Sequence, residues 1–355
     1  MTRSDRHNEQ SNPSFEFGIY TLGELSPHPE TGKTIGAQQR IREVIEAAKL
    51  ADEAGIDVFG VGEHHRLDFA ISSPPVLLAA IAQATKRIRL TSATTVLGTS
   101  DPVRVYEDFS TLDLLSDGRA EIIAGRGAYI ESFPLFGYEL SSYGELFREK
   151  TAMFLALNDN ETVTWSGKFR SPLNEAEIAP RPKQSRLPLW LGVGGTPASA
   201  ALAGEIGAGM ALAILGGDPH EYKHLVDEYR RAGKAAGHAD KELKVGITGH
   251  SFVGRTPEEA RAQFYPYYAN YYTGFMKRPP LDREAFDGLC APETALNVGS
   301  VEEVTEKILR QHELFGHSRF MAQMDIGGMP FKQVAQAIEL LATEVAPSVR
   351  KALKR

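Results

Sequence analysis

Cysteine is nearly absent: Cys290 stands alone among 355 residues. A lone cysteine closes no internal disulfide, which excludes a disulfide scaffold and fits a reducing cytoplasm. Long apolar runs are missing too. No stretch approaches the roughly 18 uninterrupted apolar residues that a membrane helix needs, so no membrane span is expected. Residues Met1–Ser14 are polar and lack the apolar segment of a signal peptide; they read as a loose tail. Positive charge is not in excess. The 39 Lys and Arg stand against 46 Asp and Glu, a net charge of −7, whereas nucleic-acid binding needs concentrated positive charge. No internal repeat points to a solenoid.

What is present is an ordinary globular balance, 42% hydrophobic and 24% charged. Short apolar segments alternate with amphipathic ones from end to end. Eight read as strands: Phe15–Tyr20, Asp57–Val61, Ile88–Val96, Ala120–Ala124, Leu189–Val193, Met210–Ile214, Leu243–Val253 and Arg319–Asp325. Helices fall between them. Gln38–Ala54 carries Ile41, Val44, Ile45, Ala48 and Ala51 at helical spacing and ends at Gly55. Others occupy Pro75–Thr85, the segment from Pro102 to Gly118, and Tyr143–Leu157; more begin at Pro197, after Asp218 and near Pro330. Thr256-Pro257-Glu258-Glu259 and Ser300 with Glu303 are helix-start signatures.

Two insertions interrupt the alternation. One runs on from Arg126 and includes a hairpin over Thr162–Arg170. The other spans Thr256–Val298. Parallel strands joined by helices close naturally as a (β/α)8 TIM barrel, here with insertions after strands 4 and 7; an open doubly wound sheet is the alternative. In a barrel the reactive groups lie just after the strands.

Glu63-His64-His65 follows the second strand. Histidine exchanges protons near neutrality, although a loop histidine often does no more than complete a hydrogen bond. Adjacent histidines on an extended segment point apart and no third ligand matches them, so no metal is expected. Ser92-Ala93-Thr94-Thr95 ends the third strand with small side chains that let a flat ring approach, or that pack the barrel. In Gly125-Arg126-Gly127 the arginine is placed to steady an anion; on its own the pattern also fits a surface arginine. Gly192-Val193-Gly194-Gly195-Thr196-Pro197 leads from strand five into a helix, where bare backbone N–H groups and the helix dipole suit a phosphate. It lacks the Gly-Lys-Ser/Thr of a Walker loop, and a plain tight turn would look the same. His220 and His224 have the spacing of a zinc pair but sit among Asp and Glu, as on a solvated face. Tyr265 to Tyr272 holds five tyrosines, which suit a lid over a substrate, a dimer contact or the packed core of an insertion.

Taken in order, these segments resemble the bacterial luciferase-like flavin monooxygenases. Asp57 to His65, Leu97 to Arg119, Gly125-Arg126-Gly127 and Pro188 to Gly195 carry the resemblance, which extends over Phe15 to Val349. It implies residues 15–355 as one barrel domain that binds FMN at the strand C-termini, often as a reduced co-substrate made by a separate flavin reductase. With O2, such enzymes oxygenate an aldehyde, ketone, sulfonate or similar small molecule. It further implies His64 as the proton-transfer residue and a cis peptide at Ala93–Thr94 beneath the flavin ring. Arg126 would lie at the ring or phosphate, Val193, Gly194, Gly195 and Thr196 would form the phosphate turn, and His65 and Tyr129 would face the substrate. A homodimer through the helices after strands two and three is implied as well.

The sequence departs from luciferase in two places. Gly125 replaces a reactive cysteine, and Gly194 and Gly195 replace acidic and serine residues, so light emission is not expected and phosphate contacts should be mainly backbone. The expected activity is an FMN-dependent cytoplasmic monooxygenase. A deazaflavin-dependent hydride-transfer enzyme and a non-catalytic, flavin-free partner subunit are the alternatives.

Overall fold

A computed structural model describes residues 15–127 and 129–354; the tail expected over residues 1–14 lies outside them. Eight parallel strands form the barrel: β1 (Glu16–Thr21), β2 (Val58–Val61), β3 (Arg89–Ser92), β4 (Ala120–Gly125), β5 (Leu189–Val193), β6 (Gly209–Ala213), β7 (Val245–Gly254) and β8 (Arg319–Gln323). The ring closes because β7 pairs with β6 on one side and β8 on the other, and β8 pairs in turn with β1. Helices α1 (Ala37–Ala54), α2 (Pro74–Ala84), α3 (Pro102–Leu115), α4 (Tyr143–Asp159), α5 (Pro197–Glu205), α6 (Lys223–Ala235), α7 (Val301–Phe315) and α8 (Phe331–Leu340) follow the strands. Among the described residues no helix is long and apolar enough to cross a membrane.

Local chemistry accounts for the boundaries. Gly55 ends α1 at φ 88°, a left-handed conformation open to glycine. Asp101 accepts hydrogen bonds from the Val103 and Arg104 N–H groups and starts α3. Ser300 and Glu303 form the expected capping box on α7. Burial on both faces explains why the strands read as apolar runs. One buried cluster fills the barrel interior, with Tyr20, Val58, Ile123, Trp190, Ala211 and Met321. A larger one lies between the strands and the helices.

Three expectations need correction. The third strand stops at Ser92 and resumes at Thr95–Val96, which pairs with β4; the Ala93–Thr94 peptide between them is cis. The first insertion's hairpin pairs Thr162–Trp165 with Leu173–Glu177, beyond the expected end at Arg170. Its longer loop is held by Glu149 of α4, which accepts hydrogen bonds from the Lys168 and Phe169 N–H groups at 2.8 and 3.0 Å. The second insertion contains helices Pro257–Gly274 and Arg283–Leu289, then an unforeseen short strand, Asn297–Ser300, parallel to the upper half of β7.

The lower end of the barrel is closed by charge. Arg319 reaches Glu121 through two nitrogens at 2.5 and 3.2 Å, donates to Glu16 at 2.8 Å and lies 4.2 Å from the Trp190 ring centre. Removing one partner of such a buried pair strands the other charge, which typically costs 3–5 kcal/mol. Arg319→Met should therefore lower unfolding stability by about 3 kcal/mol, read by urea denaturation.

Candidate active site

The C-terminal mouth of the barrel holds a cavity of about 390 Å³. Its lining comes from the ends of β1, β2, β4, β5, β6, β7 and β8, from the Ala93–Thr94 peptide and from Tyr271 of the insertion helix Pro257–Gly274. A second cavity of similar size opens at the opposite end, around the Arg319–Glu121 pair. That end carries the ion pairs that plug the barrel, whereas the mouth collects loops from almost every strand.

One end of the mouth cavity suits an anion. Gly194, Gly195 and Thr196 are exposed between β5 and α5. A methyl group placed on Gly194 or Gly195 would meet nothing within 4 Å, so the backbone N–H groups there are open to approach. Gly195 has φ 138°. The N-terminus of α5 adds its positive dipole end. Thr196 accepts a hydrogen bond from Arg126 Nη2 at 3.0 Å, and the Arg126 guanidinium lies 4.8 Å from the Tyr143 ring centre. The Tyr143 hydroxyl donates to the Gly127 carbonyl at 3.3 Å. Val193, Gly194, Thr196 and Arg126 all line the cavity, and Gly195 completes the turn beside them.

Next to this end the wall is flat. The Thr94 side chain fills the space that side chains at positions 125 and 192 would need. A methyl on Gly125 would stand 2.6 Å from Thr94 Oγ1, and one on Gly192 3.1 Å from Thr94 Cγ2. Glu63, which itself lines the cavity, ties this wall to the end of β2. Its carboxylate accepts from the Val96 N–H at 2.8 Å and meets His65 Nε2 at 2.9 Å.

His64 is buried at the other end. It stacks on Phe69 at 4.0 Å and stands edge-on to Tyr129 at 5.3 Å. Its Nδ1 lies 3.7 Å from the Glu131 carboxylate. Burial outweighs that carboxylate and pulls the His64 pKa down to about 4, so the ring is neutral at pH 7. Burial also pushes the Tyr129 hydroxyl up to about 12, so it remains a hydrogen-bond donor. Arg66, paired with Asp68, lies 4.9 Å from the Tyr129 ring centre, 5.8 Å from Phe275 and 6.0 Å from Phe69. It thereby joins the loops after β2, β4 and β7.

His65 does not join the cavity. It turns away, bonded to Glu63 and edge-on to Phe136 at 4.9 Å, because successive side chains of an extended segment face opposite ways. In the structure His65 bonds Glu63 rather than lining the cavity. His220 and His224 are exposed, His220 in a short turn ahead of α6 that is capped by Asp218. Among the five tyrosines of the second insertion, Tyr271 reaches the cavity. Sequence reasoning passed over Glu63 as a separate element, and over Tyr143, Thr248 and Gln323. Glu63 alone carried a signal, an acid directly after a strand.

The sequence profile described as luciferase-like monooxygenase matches residues 15–318. The chain belongs to that family. It is 25% identical over 339 residues to the oxygenase component of the flavin-dependent trigonelline monooxygenase of Acinetobacter baylyi, which covers 88% of this chain and 90% of the relative. Among solved structures, monooxygenase RslO1 from Streptomyces bottropensis superposes with a TM-score of 0.82 at 26% identity, over 94% of this chain and 99% of that one. The oxygenating constituent of 3,6-diketocamphane monooxygenase from Pseudomonas putida, solved with FMN, has a TM-score of 0.76 at 22% identity over 94% and 98%. An F420-dependent secondary alcohol dehydrogenase shares the fold, with a TM-score of 0.71 at 18% identity over 95% and 99%.

The His64 environment sets a pH response. An exposed histidine in the unfolded chain takes its proton near pH 6.5, and His64 in the folded chain takes it near 4. Its contribution to stability is thus complete above 6.5 and declines as the pH falls towards 4. Histidine-ring NMR should show His64 unprotonated at pH 5.5. In Glu131→Gln the midpoint should move lower still, because the opposing carboxylate is gone.

Proposed function

We propose that this chain is the oxygenase of an FMN-dependent monooxygenase, taking reduced FMN and O2 to a small organic substrate. The observation that carries the reading is the Arg126–Thr196 hydrogen bond at the open glycine turn of α5, set beside the flat wall of Thr94, Gly125 and Gly192. Gly194, Gly195, Thr196 and the α5 N-terminus would hold the phosphate, with Val193 beneath. Arg126 would balance its charge, and Ala93 and Thr94 would lie under the ring.

When bound in this pocket, reduced FMN would supply the two electrons with which one atom of O2 goes to the substrate and the other to water. His64, neutral at pH 7, would accept a proton from the substrate or the flavin and return it. Tyr129 and Tyr271, which line the cavity, would shield the substrate side from water. A separate reductase would provide the reduced flavin, in keeping with a relative named as an oxygenase component. Residues 15–355 would act as one domain in the cytoplasm.

We also assign a homodimer face to α2 and α3. Val76, Leu114 and Leu115 are exposed apolar side chains on these helices, and Gln83 of α2 donates to the Leu115 carbonyl at 3.1 Å.

Anaerobic fluorescence titration tests the cofactor. Reduced FMN should bind more tightly than oxidised FMN. Arg126→Ala should weaken FMN by roughly tenfold or more while leaving riboflavin, which has no phosphate, nearly unchanged. Failure of both FMN forms to bind would sink the reading. Substrate turnover without oxygen on a reduced deazaflavin would replace it with the hydride-transfer alternative. The double variant Val76→Glu with Leu115→Glu should run as a monomer in light scattering if the dimer face is correct.

A further inference from the structure

This inference rests on the oxygenase reading above, in which His64 takes up and returns a proton. His64 is the imidazole in the cavity lining. Which of its two nitrogens accepts that proton depends on which one already carries one, and a ring nitrogen's neighbours decide this.

The two nitrogens meet different surroundings. Nδ1 faces the Glu131 carboxylate at 3.7 Å. That is longer than a full hydrogen bond, but catalytic hydrogen bonds often have this length before substrate arrives. Nε2, on the opposite edge of the ring, has no hydrogen-bond partner among the described residues. The ring nitrogens that are sealed from solvent without a partner belong to His250 and His317, not to His64. Phe69, stacked at 4.0 Å, and Tyr129, edge-on at 5.3 Å, fix the ring plane. Of the other charges around the ring, Arg66 and Asp68 are bonded to each other.

Glu131 is itself held in place. It precedes the one-turn helix Ser132–Leu135, whose Phe133 is buried against the Tyr143 ring at 5.5 Å. Tyr143 also faces Arg126. The loop that begins with the phosphate-side arginine thus also brings the carboxylate to His64.

We propose that Glu131 is a positioning residue for proton transfer: it holds the His64 proton on Nδ1 and so presents Nε2 to the cavity as the bare, accepting nitrogen. A carboxylate attracts an N–H and repels a lone pair. In the step itself an X–H bond of substrate or flavin breaks and Nε2–H forms. The imidazolium then stands against the Glu131 carboxylate until the proton is returned.

NMR of the full chain labelled with nitrogen-15 histidine reads the tautomer at pH 7, with His64 identified by the signals missing in His64→Asn. The wild type should favour the proton on Nδ1 by at least about tenfold, the measure of a hydrogen bond to a charged group. A free imidazole side chain has the opposite preference. Glu131→Gln, whose amide oxygen still accepts, should keep the proton on Nδ1, and Glu131→Leu should return most of it to Nε2. A wild type protonated mainly on Nε2 overturns the proposal without any variant, and so does a Glu131→Leu spectrum like that of the wild type. The measurement needs no flavin. A proton on Nδ1, released by Glu131→Leu, in a chain that binds neither form of FMN would sink the oxygenase reading and leave the Glu131–His64 relation standing.

Discussion

Everything at the mouth depends on β7 forming hydrogen-bonded ladders with both β6 and β8. That double pairing turns an open sheet into a closed ring and brings residues nearly 260 positions apart, such as His64 and Gln323, to the rim of one cavity. Closure also leaves each strand end without a further neighbour. The loops that follow must then find their partners in one another, and they do so through a few charged and aromatic side chains.

Glu63 is the clearest case. One carboxylate holds His65 on one side and the Val96 N–H on the other. It fixes the end of β2 against the residues beyond the Ala93–Thr94 peptide. Thr94 in turn occupies the volume that larger residues at positions 125 and 192 would take. Two glycines and one threonine thus share a single packing requirement. The outcome is a wall without projections, bordered by an arginine at one end and a neutral imidazole at the other.

The order of strands and helices was legible because the strands are buried on both faces and several helix starts carry a proline or a capping side chain, as at Asp101-Pro102 and Ser300. That Arg126 and the turn Gly194–Gly195–Thr196 lie at the mouth was legible because they follow strands directly, although neither pattern by itself separates an anion site from a surface arginine or a plain tight turn. Gln323 was not, since nothing near it in the chain distinguishes a cavity-lining amide from a packed one. The role of Tyr271 depends on how a long insertion folds back, which periodicity does not encode. His64 and His65 were distinguishable only by the side of the chain each occupies. The cis peptide at Ala93–Thr94 was expected from the family resemblance, but the break in the third strand was not, because the run Ile88–Val96 reads as uninterrupted.

Arg66 links three loops that come from widely separated parts of the chain, with its guanidinium near Phe69, Tyr129 and Phe275 at once. A change of ring at any one position alters the partner of a cation that the others also use. The cation therefore couples the three loops mechanically: displacement of any one of them moves a charge that rings on the other two also face.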